Sequence, residues 1–108
     1  MYYARFTKYT VRQGCDAEAE QALGELYNWL EDQEGFLTGF RLVSPEHSRQ
    51  RARLSIWKSK EAADAAAIQT HSIALRTRLT AVVKEEAFDY DVLAHIGRMP
   101  AQRKRKTS

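Results

Sequence analysis

The order of its periodic segments is the feature that most constrains the fold of this chain. Segments rich in aromatic and β-branched residues predict four strands, at 2–11, 36–43, 50–57 and 86–96. Apolar residues at three- and four-residue spacing predict a helix over 16–33 and helical segments over 60–68 and about 73–84. The order β-α-β-β-α-β is the split βαβ arrangement of a ferredoxin-like fold. We therefore predict an α+β domain with a four-stranded antiparallel sheet and its helices on one face.

The predicted strands carry apolar residues on both faces. In the first strand, one face carries Tyr3, Thr7, Tyr9 and Val11, and the other carries Tyr2, Ala4 and Phe6. The helices cover one face of the sheet, so the second apolar face needs another cover. A second copy of the same sheet is the simplest cover. We therefore expect a homodimer that forms through the sheet face.

The charge distribution separates a domain from a tail. The 108 residues suffice for one domain, and their formal net charge is +3. Five of the 17 basic residues fall in the last eleven positions: Arg98, Arg103, Lys104, Arg105 and Lys106. Without them, 12 basic and 14 acidic side chains remain. We therefore predict a mildly acidic domain over 1–97 and a basic, disordered tail over 98–108.

Composition also limits the partners and the compartment. The basic run 103–106 has two interpretations: it binds an acidic surface or nucleic acid, or it only raises solubility. We favour the solubilising role, so no nucleic-acid partner is expected. No apolar run approaches the roughly 20 residues of a membrane helix, and no signal peptide opens the sequence, so we expect a cytoplasmic protein without a membrane partner. Cys15 is the single cysteine, which excludes an internal disulfide and makes structural zinc unexpected.

Two short motifs carry a resemblance to a known family. Gly-Phe-Leu-x-Gly occupies 35–39 at the start of the second predicted strand. Trp-x-Ser-x-Glu-Ala occupies 57–62, where the third strand gives way to a helix. His71 follows Trp57 by fourteen residues, at a spacing that many members of this family share. With these motifs and this element order, residues 3–96 resemble the antibiotic biosynthesis monooxygenase-like family.

The resemblance implies a dimeric α+β barrel with a pocket between sheet and helices in each subunit. Family members include cofactor-free oxygenases that turn phenols or hydroquinones into quinones, haem-degrading enzymes and isomerases, so the fold does not decide the chemistry. The haem-degrading branch needs an asparagine, a tryptophan and a histidine where this chain has Thr7, Ala66 and Leu75. We therefore expect no haem and no other cofactor.

The leading hypothesis is a cofactor-independent monooxygenase that acts on a small aromatic or quinone-type molecule. His71 is the candidate catalytic base, because an imidazole can accept a phenolic proton near neutral pH. Thr7, Tyr27, Arg53 and Trp57 are the candidate substrate-pocket residues. Structural alternatives stay open: a histidine can cap or pack on a helix, a tryptophan can fill the core, and an arginine can lie exposed at a strand edge.

A second hypothesis is a non-catalytic, small-molecule-binding or stress-associated dimer of the same fold, because the sequence shows no obligatory catalytic set. Asp89 and Asp91, two residues apart on the last predicted strand, are either a metal-binding or acid–base pair, or part of a solvated strand face or of an ion pair with arginine at an interface. We favour the solvated or arginine-paired face and predict no metal site.

Overall fold

The computed structural model describes residues 2–93, in the order β-α-β-β-α-α-β. The strands are β1 Tyr2–Val11, β2 Phe36–Val43, β3 Gln50–Trp57 and β4 Val83–Val92. The helices are α1 Asp16–Leu30, α2 Lys60–Ala67 and α3 Thr70–Val82. The strands form one antiparallel sheet in the order β2-β3-β1-β4. The predicted ferredoxin-like α+β fold is therefore confirmed.

The boundaries differ from the predictions at the helices and at the last strand. The first helix ends at Leu30 and not at 33, and α3 starts at Thr70 because the extended Gln69 separates it from α2. Residue Val83 is already extended, so β4 begins directly after α3 and three residues earlier than predicted. The predicted strand residues 94–96 and the tail 98–108 lie outside the described residues.

Two apolar clusters hold the helices against one face of the sheet. The larger joins β1, α1, α3 and the start of β4, and its members are Tyr9, Val11, Ala19, Ala22, Leu23, Leu26, Leu75, Leu79 and Val83. The smaller lies at the other end of the sheet and consists of Tyr3, Phe36, Trp57, Ala63 and Ala66. Burial of these side chains is the main apolar contribution to stability. The core is thus divided into two parts.

The two motifs that carry the family resemblance contact each other. The rings of Phe36 and Trp57 meet edge to face, with their centroids 5.3 Å apart. Ser59 caps α2 by accepting a hydrogen bond from the amide of Ala62. Gly35 has a φ of +86°, and a Cβ added there would lie 2.5 Å from the Cβ of Ala62. The motifs therefore join the start of β2 to the end of β3 and the start of α2.

The sheet face away from the helices is apolar and open. Its large side chains with the highest exposed fractions are Tyr2, Phe40, Leu42, Phe88 and Tyr90, which range from 38% to 55%. Phe6 and Leu54 lie between them on the central strands and are half-buried. We call this surface the open sheet face. No helix within residues 2–93 is long and apolar enough to cross a membrane.

Candidate functional site

A cavity of about 370 Å³ lies between the helices and the sheet, in the gap between the two core clusters. On β1, Tyr3 and Tyr9 belong to the clusters at either end, whereas Arg5 and Thr7 between them line the cavity. These two polar side chains interrupt the apolar packing at the middle of the sheet. The volume is within the range of small-molecule sites, so the cavity is the candidate functional site.

The strands form the floor of this cavity and the helices form its roof. The floor residues are Arg5, Thr7, Arg53, Ser55, Trp57, Glu85, Ala87 and Asp89, which project from one face of the sheet. The roof residues are Leu26, Tyr27, Leu30, Ala63, Ala66, Ala67, Ser72 and Arg76. Ala87 and Asp89 lie on the edge strand β4 and are exposed. The cavity therefore opens to solvent along β4.

The four residues predicted to form the substrate pocket all line this cavity. Thr7 is 2% exposed and is the register partner of Arg53, so these side chains are neighbours on the floor. Trp57 is 3% exposed and donates its Nε1–H to Ser55 Oγ at 3.0 Å, in addition to its part in the core. Tyr27 contributes to the roof. Whether any of them contacts a substrate stays a prediction.

His71 lies away from the cavity. It is exposed in the first turn of α3, and its ring centroid is 5.4 Å from that of Trp29 at an interplanar angle of 34°. It is not among the residues that line the cavity. This position matches the packing alternative for the histidine. Its predicted role as catalytic base stays a prediction that this arrangement does not support.

Arg53 and Arg76 both line the cavity, and hydrogen bonds fix both side chains. Arg53 Nη2 donates to Glu85 Oε2 at 3.2 Å, and Arg76 Nη2 donates to the carbonyl oxygen of Ala67 at 2.6 Å. These bonds hold both guanidinium groups in place. Arg53 Nη1 and Arg76 Nε are buried and have no hydrogen-bond partner within residues 2–93. Buried donors without a partner are uncommon and costly in folded proteins.

Arg5 forms the centre of a second charged group at the mouth of the cavity. Its Nε donates to Asp89 at 3.0 Å, and its Nη2 donates to the Tyr3 hydroxyl at 2.9 Å and to Asp64 at 3.2 Å. Burial opposes the charge of Arg5, but its hydrogen bonds outweigh that effect and raise its pKa. Burial also acts against the Asp89 carboxylate, yet the hydrogen bond from Arg5 lowers the pKa of Asp89 overall. The Asp89 carboxylate is thus an ion-pair partner, as favoured from the sequence.

Tyr27 keeps a neutral hydroxyl in the roof. Burial raises the pKa of Tyr27 to about 12, and the positive charges of Arg53 and Arg41 only partly oppose this effect. The hydroxyl donates to the backbone oxygen of Phe40 at 3.3 Å. Tyr27 can therefore act as a hydrogen-bonding group near a ligand, and it is not a base at neutral pH.

Four further lining residues were not predicted from the sequence: Ser55, Ser72, Arg76 and Glu85. Alternation along β3 contained a signal for Ser55, which lies between Arg53 and Trp57 on the same face. Glu85 carried no signal, because the predicted strand began one residue later. Within residues 2–93, no group of three or more histidine, cysteine or acidic side chains is arranged to hold a metal ion.

Solved structures with the same fold support the family resemblance. SnoaB, described as a cofactor-independent oxygenase from Streptomyces nogalater, is 18% identical with a TM-score of 0.82, covering 90% of this chain and 98% of its own. A candidate antibiotic biosynthesis monooxygenase from Nitrosomonas europaea is 14% identical with a TM-score of 0.80, covering 89% of this chain and 94% of its own. Rv0793 from Mycobacterium tuberculosis is 11% identical with a TM-score of 0.81, covering 90% of this chain and 100% of its own.

These likenesses establish the fold. No protein-family model matches the sequence, and no curated protein matches it. The resemblance inferred from the two motifs is confirmed at the level of structure, because SnoaB and several candidate antibiotic biosynthesis monooxygenases share the architecture. At identities below 20%, the chemistry must be argued from the cavity itself.

Proposed function

We propose that this protein is a cofactor-independent monooxygenase that converts a small hydroxylated aromatic molecule to a quinone in the cavity between sheet and helices. The observation that carries the proposal is the composition of this cavity. Aromatic and alanine side chains form walls that suit a planar ring, and the arginines supply hydrogen-bond donors for an oxygen substituent. The fold shared with a cofactor-independent oxygenase adds support.

The reaction needs no external reductant. One phenol and one O₂ give one quinone and one water: one oxygen atom becomes the new carbonyl, and the other takes the two hydrogens that leave the ring carbon and the hydroxyl. The aromatic substrate supplies all four electrons. Ionisation of the hydroxyl makes the ring electron-rich, and positive side chains in a partly closed site favour that ionised form.

The cavity contains more arginine than carboxylate. The lining residues include three arginines and two carboxylates, which leaves one excess positive charge. The arginines are Arg5, Arg53 and Arg76, and the carboxylates are Glu85 and Asp89. Of the two carboxylates, Glu85 is the more enclosed, with 21% of its side chain exposed against 48% for Asp89. We assign Glu85 as the group that accepts the phenolic proton. His71, the acceptor predicted from the sequence, is tested beside it.

Oxygen uptake tests this proposal. Chelator-treated protein is mixed with a panel of naphthols, phenols and hydroquinones, and uptake is compared for the wild type, Glu85→Gln and His71→Ala. We expect uptake by the wild type and a loss for Glu85→Gln. A loss for His71→Ala alone would return the role of base to His71. An inert wild type across the whole panel would reject the oxygenase proposal.

A second candidate is a non-catalytic protein that binds a small aromatic molecule in the same cavity. One observation favours it: both lining carboxylates are already paired, Glu85 with Arg53 and Asp89 with Arg5. A carboxylate whose oxygen already accepts a hydrogen bond from an arginine is less free to accept a proton from a substrate. Ligand-dependent thermal stabilisation without oxygen uptake by the wild type would support this candidate.

We also propose that the open sheet face pairs with a second copy of this chain. Large apolar side chains lie next to one another across this face, and large contiguous apolar patches are rare on the surfaces of monomers. Phe6, on the inner strand β1, lies at its centre, with Phe88 of β4 as its register partner on one side and Leu54 of β3 on the other. A two-fold axis through this centre would bring the same side chains together from both copies. The proposed dimer leaves the cavity on the opposite face of each sheet.

A further inference from the structure

We infer that the cavity selects a monoanionic aromatic ligand and binds its oxyanion through Arg53 and Arg76. This inference takes the cavity of the proposed function as the ligand site and adds the class of ligand. It rests on the two buried nitrogens, Arg53 Nη1 and Arg76 Nε, which have no hydrogen-bond partner within residues 2–93. Both residues line the same cavity.

Each guanidinium is held in place by a bond that leaves the unpaired nitrogen free. Arg53 is anchored through Nη2 to Glu85, and only 13% of its side chain is exposed. Arg76 is anchored through Nη2 to the carbonyl oxygen of Ala67, at the end of α2. The two donors come from different elements, β3 and α3, so their positions are set by the fold. Fixed donors cost a bound anion little further ordering.

The charge of the site sets the charge of the ligand. The lining arginines exceed the lining carboxylates by one, so a single negative charge neutralises the cavity. A neutral ligand of the same shape can accept only weaker, less strongly charge-assisted hydrogen bonds from these donors, and it leaves the excess positive charge of the cavity without a counter-charge. Trp57 and Tyr27 provide aromatic surfaces for the ring that carries the oxyanion.

The oxyanion has two chemical sources, a carboxylate or an ionised aromatic hydroxyl. Calorimetry of 2-naphthoate and its neutral isostere 2-naphthalenemethanol tests the first source. Absorbance of 4-nitrophenol tests the second, because only its anion is yellow and binding to the arginines would raise the ionised fraction. Both experiments are done without oxygen, so they report on binding even if the protein is not an oxygenase.

We expect the wild type to prefer an anion by about tenfold or more, the effect of one charge-assisted hydrogen bond. Arg53→Gln and Arg76→Gln should each reduce this preference. Arg78→Gln is the matched control, because Arg78 lies on α3 two residues from Arg76 but is 49% exposed and pairs with Glu25. Arg76→Lys keeps the charge and loses Nε, so it should retain only part of the preference.

The outcomes separate the alternatives. A preference for 2-naphthoate identifies the carboxylate, and added yellow colour on binding identifies the ionised hydroxyl. Thermal unfolding of each variant shows whether it is folded before its affinity is interpreted. Equal binding of 2-naphthoate and 2-naphthalenemethanol by the wild type, together with no change in 4-nitrophenol ionisation, would overturn the inference. An anion preference that persists equally in Arg53→Gln and Arg76→Gln would also overturn it.

Discussion

Arg53 and Glu85 form an ion pair across β1, with Nη2 and Oε2 3.2 Å apart and both side chains at least 79% buried. The pair joins the two strands that flank β1, and Thr7 is the register partner of Arg53 between them. The carboxylate competes with a bound anion for the same guanidinium. The Glu85 carboxylate therefore weakens the binding of an anion but assists the removal of a proton from the substrate.

Glu85→Gln should consequently raise the affinity for 2-naphthoate several-fold while it lowers oxygen uptake. The substitution removes one negative charge from the cavity and keeps the shape of the side chain. Calorimetry and uptake measurements on the same preparation check both parts. Glu34→Gln, in the exposed turn before β2, is the control and should change neither quantity. A lower affinity in Glu85→Gln would contradict the proposed competition.

Gly35→Ala should destabilise the protein by at least about 1 kcal/mol, because a left-handed backbone is costly for alanine. The φ of Gly35 is +86°, and the added Cβ would lie 2.5 Å from the Cβ of Ala62. Gly24→Ala is the matched control: it lies in α1 with open space around it and should stabilise the protein by up to about 1 kcal/mol. Denaturant unfolding measures the free energy of unfolding of both variants. Equal stability of the two would contradict the conclusion that the backbone of Gly35 and its contact with Ala62 require a glycine.

The stability of the protein should fall as the pH rises from about 10 to about 12. The unfolded chain releases the Tyr27 proton near pH 10, whereas burial raises the pKa of Tyr27 in the fold to about 12. Between these values the folded state keeps a proton that the unfolded state loses, which favours unfolding by up to about 1.4 kcal/mol per pH unit. The Tyr27 contribution is complete below pH 10 and is lost as the pH passes 12.

Tyr27→Phe should therefore flatten the decline in the free energy of unfolding over this range. It should not abolish the decline, because burial also raises the pKa values of Tyr3 and Tyr9. Urea unfolding at a series of pH values measures the slope for both proteins. Identical slopes in the wild type and Tyr27→Phe would show that the Tyr27 hydroxyl is not buried as described.

Phe88→Asp should convert a dimer to a monomer. Phe88 lies on the open sheet face beside Phe6, and a charge there would be buried without a partner in the proposed dimer. Sedimentation velocity distinguishes the two states. Ile68→Asp is the control, because Ile68 is 76% exposed at the end of α2, away from that face. A wild type that sediments as a monomer would reject the proposed pairing.

The first three predicted strands match the structure to the residue, because aromatic and β-branched residues fill β1 and the turn cluster 44–48 separates β2 from β3. The predicted start of β4 was wrong, because Val82 and Val83 suit a helix end and a strand equally well and only the tertiary structure decides between them. Thr7, Arg53 and Trp57 were predicted as pocket residues together with the family resemblance, and the strand period agrees, because Thr7 and Arg53 are register partners and Trp57 lies on the same face four residues after Arg53.

The helical part of the site was harder to predict. Arg76 lies beside Leu75 on α3, and a long polar side chain next to a core residue gives no sign that its guanidinium turns toward a cavity. His71 is the converse case: its residue type and its spacing from Trp57 suggested chemistry, and the structure places it against Trp29 in the first turn of α3, so its role as base stays a prediction. Residue type identifies possible chemistry, and only the packing of the helices on the sheet determines what the cavity contains.

Transfer of labelled oxygen tests the central claim most directly. Chelator-treated protein is supplied with ¹⁸O₂ and the aromatic compound of the panel that supports the fastest uptake, and the quinone and water are analysed after rapid quenching. The proposed function predicts one labelled atom in the quinone, one in water and a stoichiometry of one O₂ per quinone. A quinone without label, or binding of the aromatic compounds without any uptake, would contradict it.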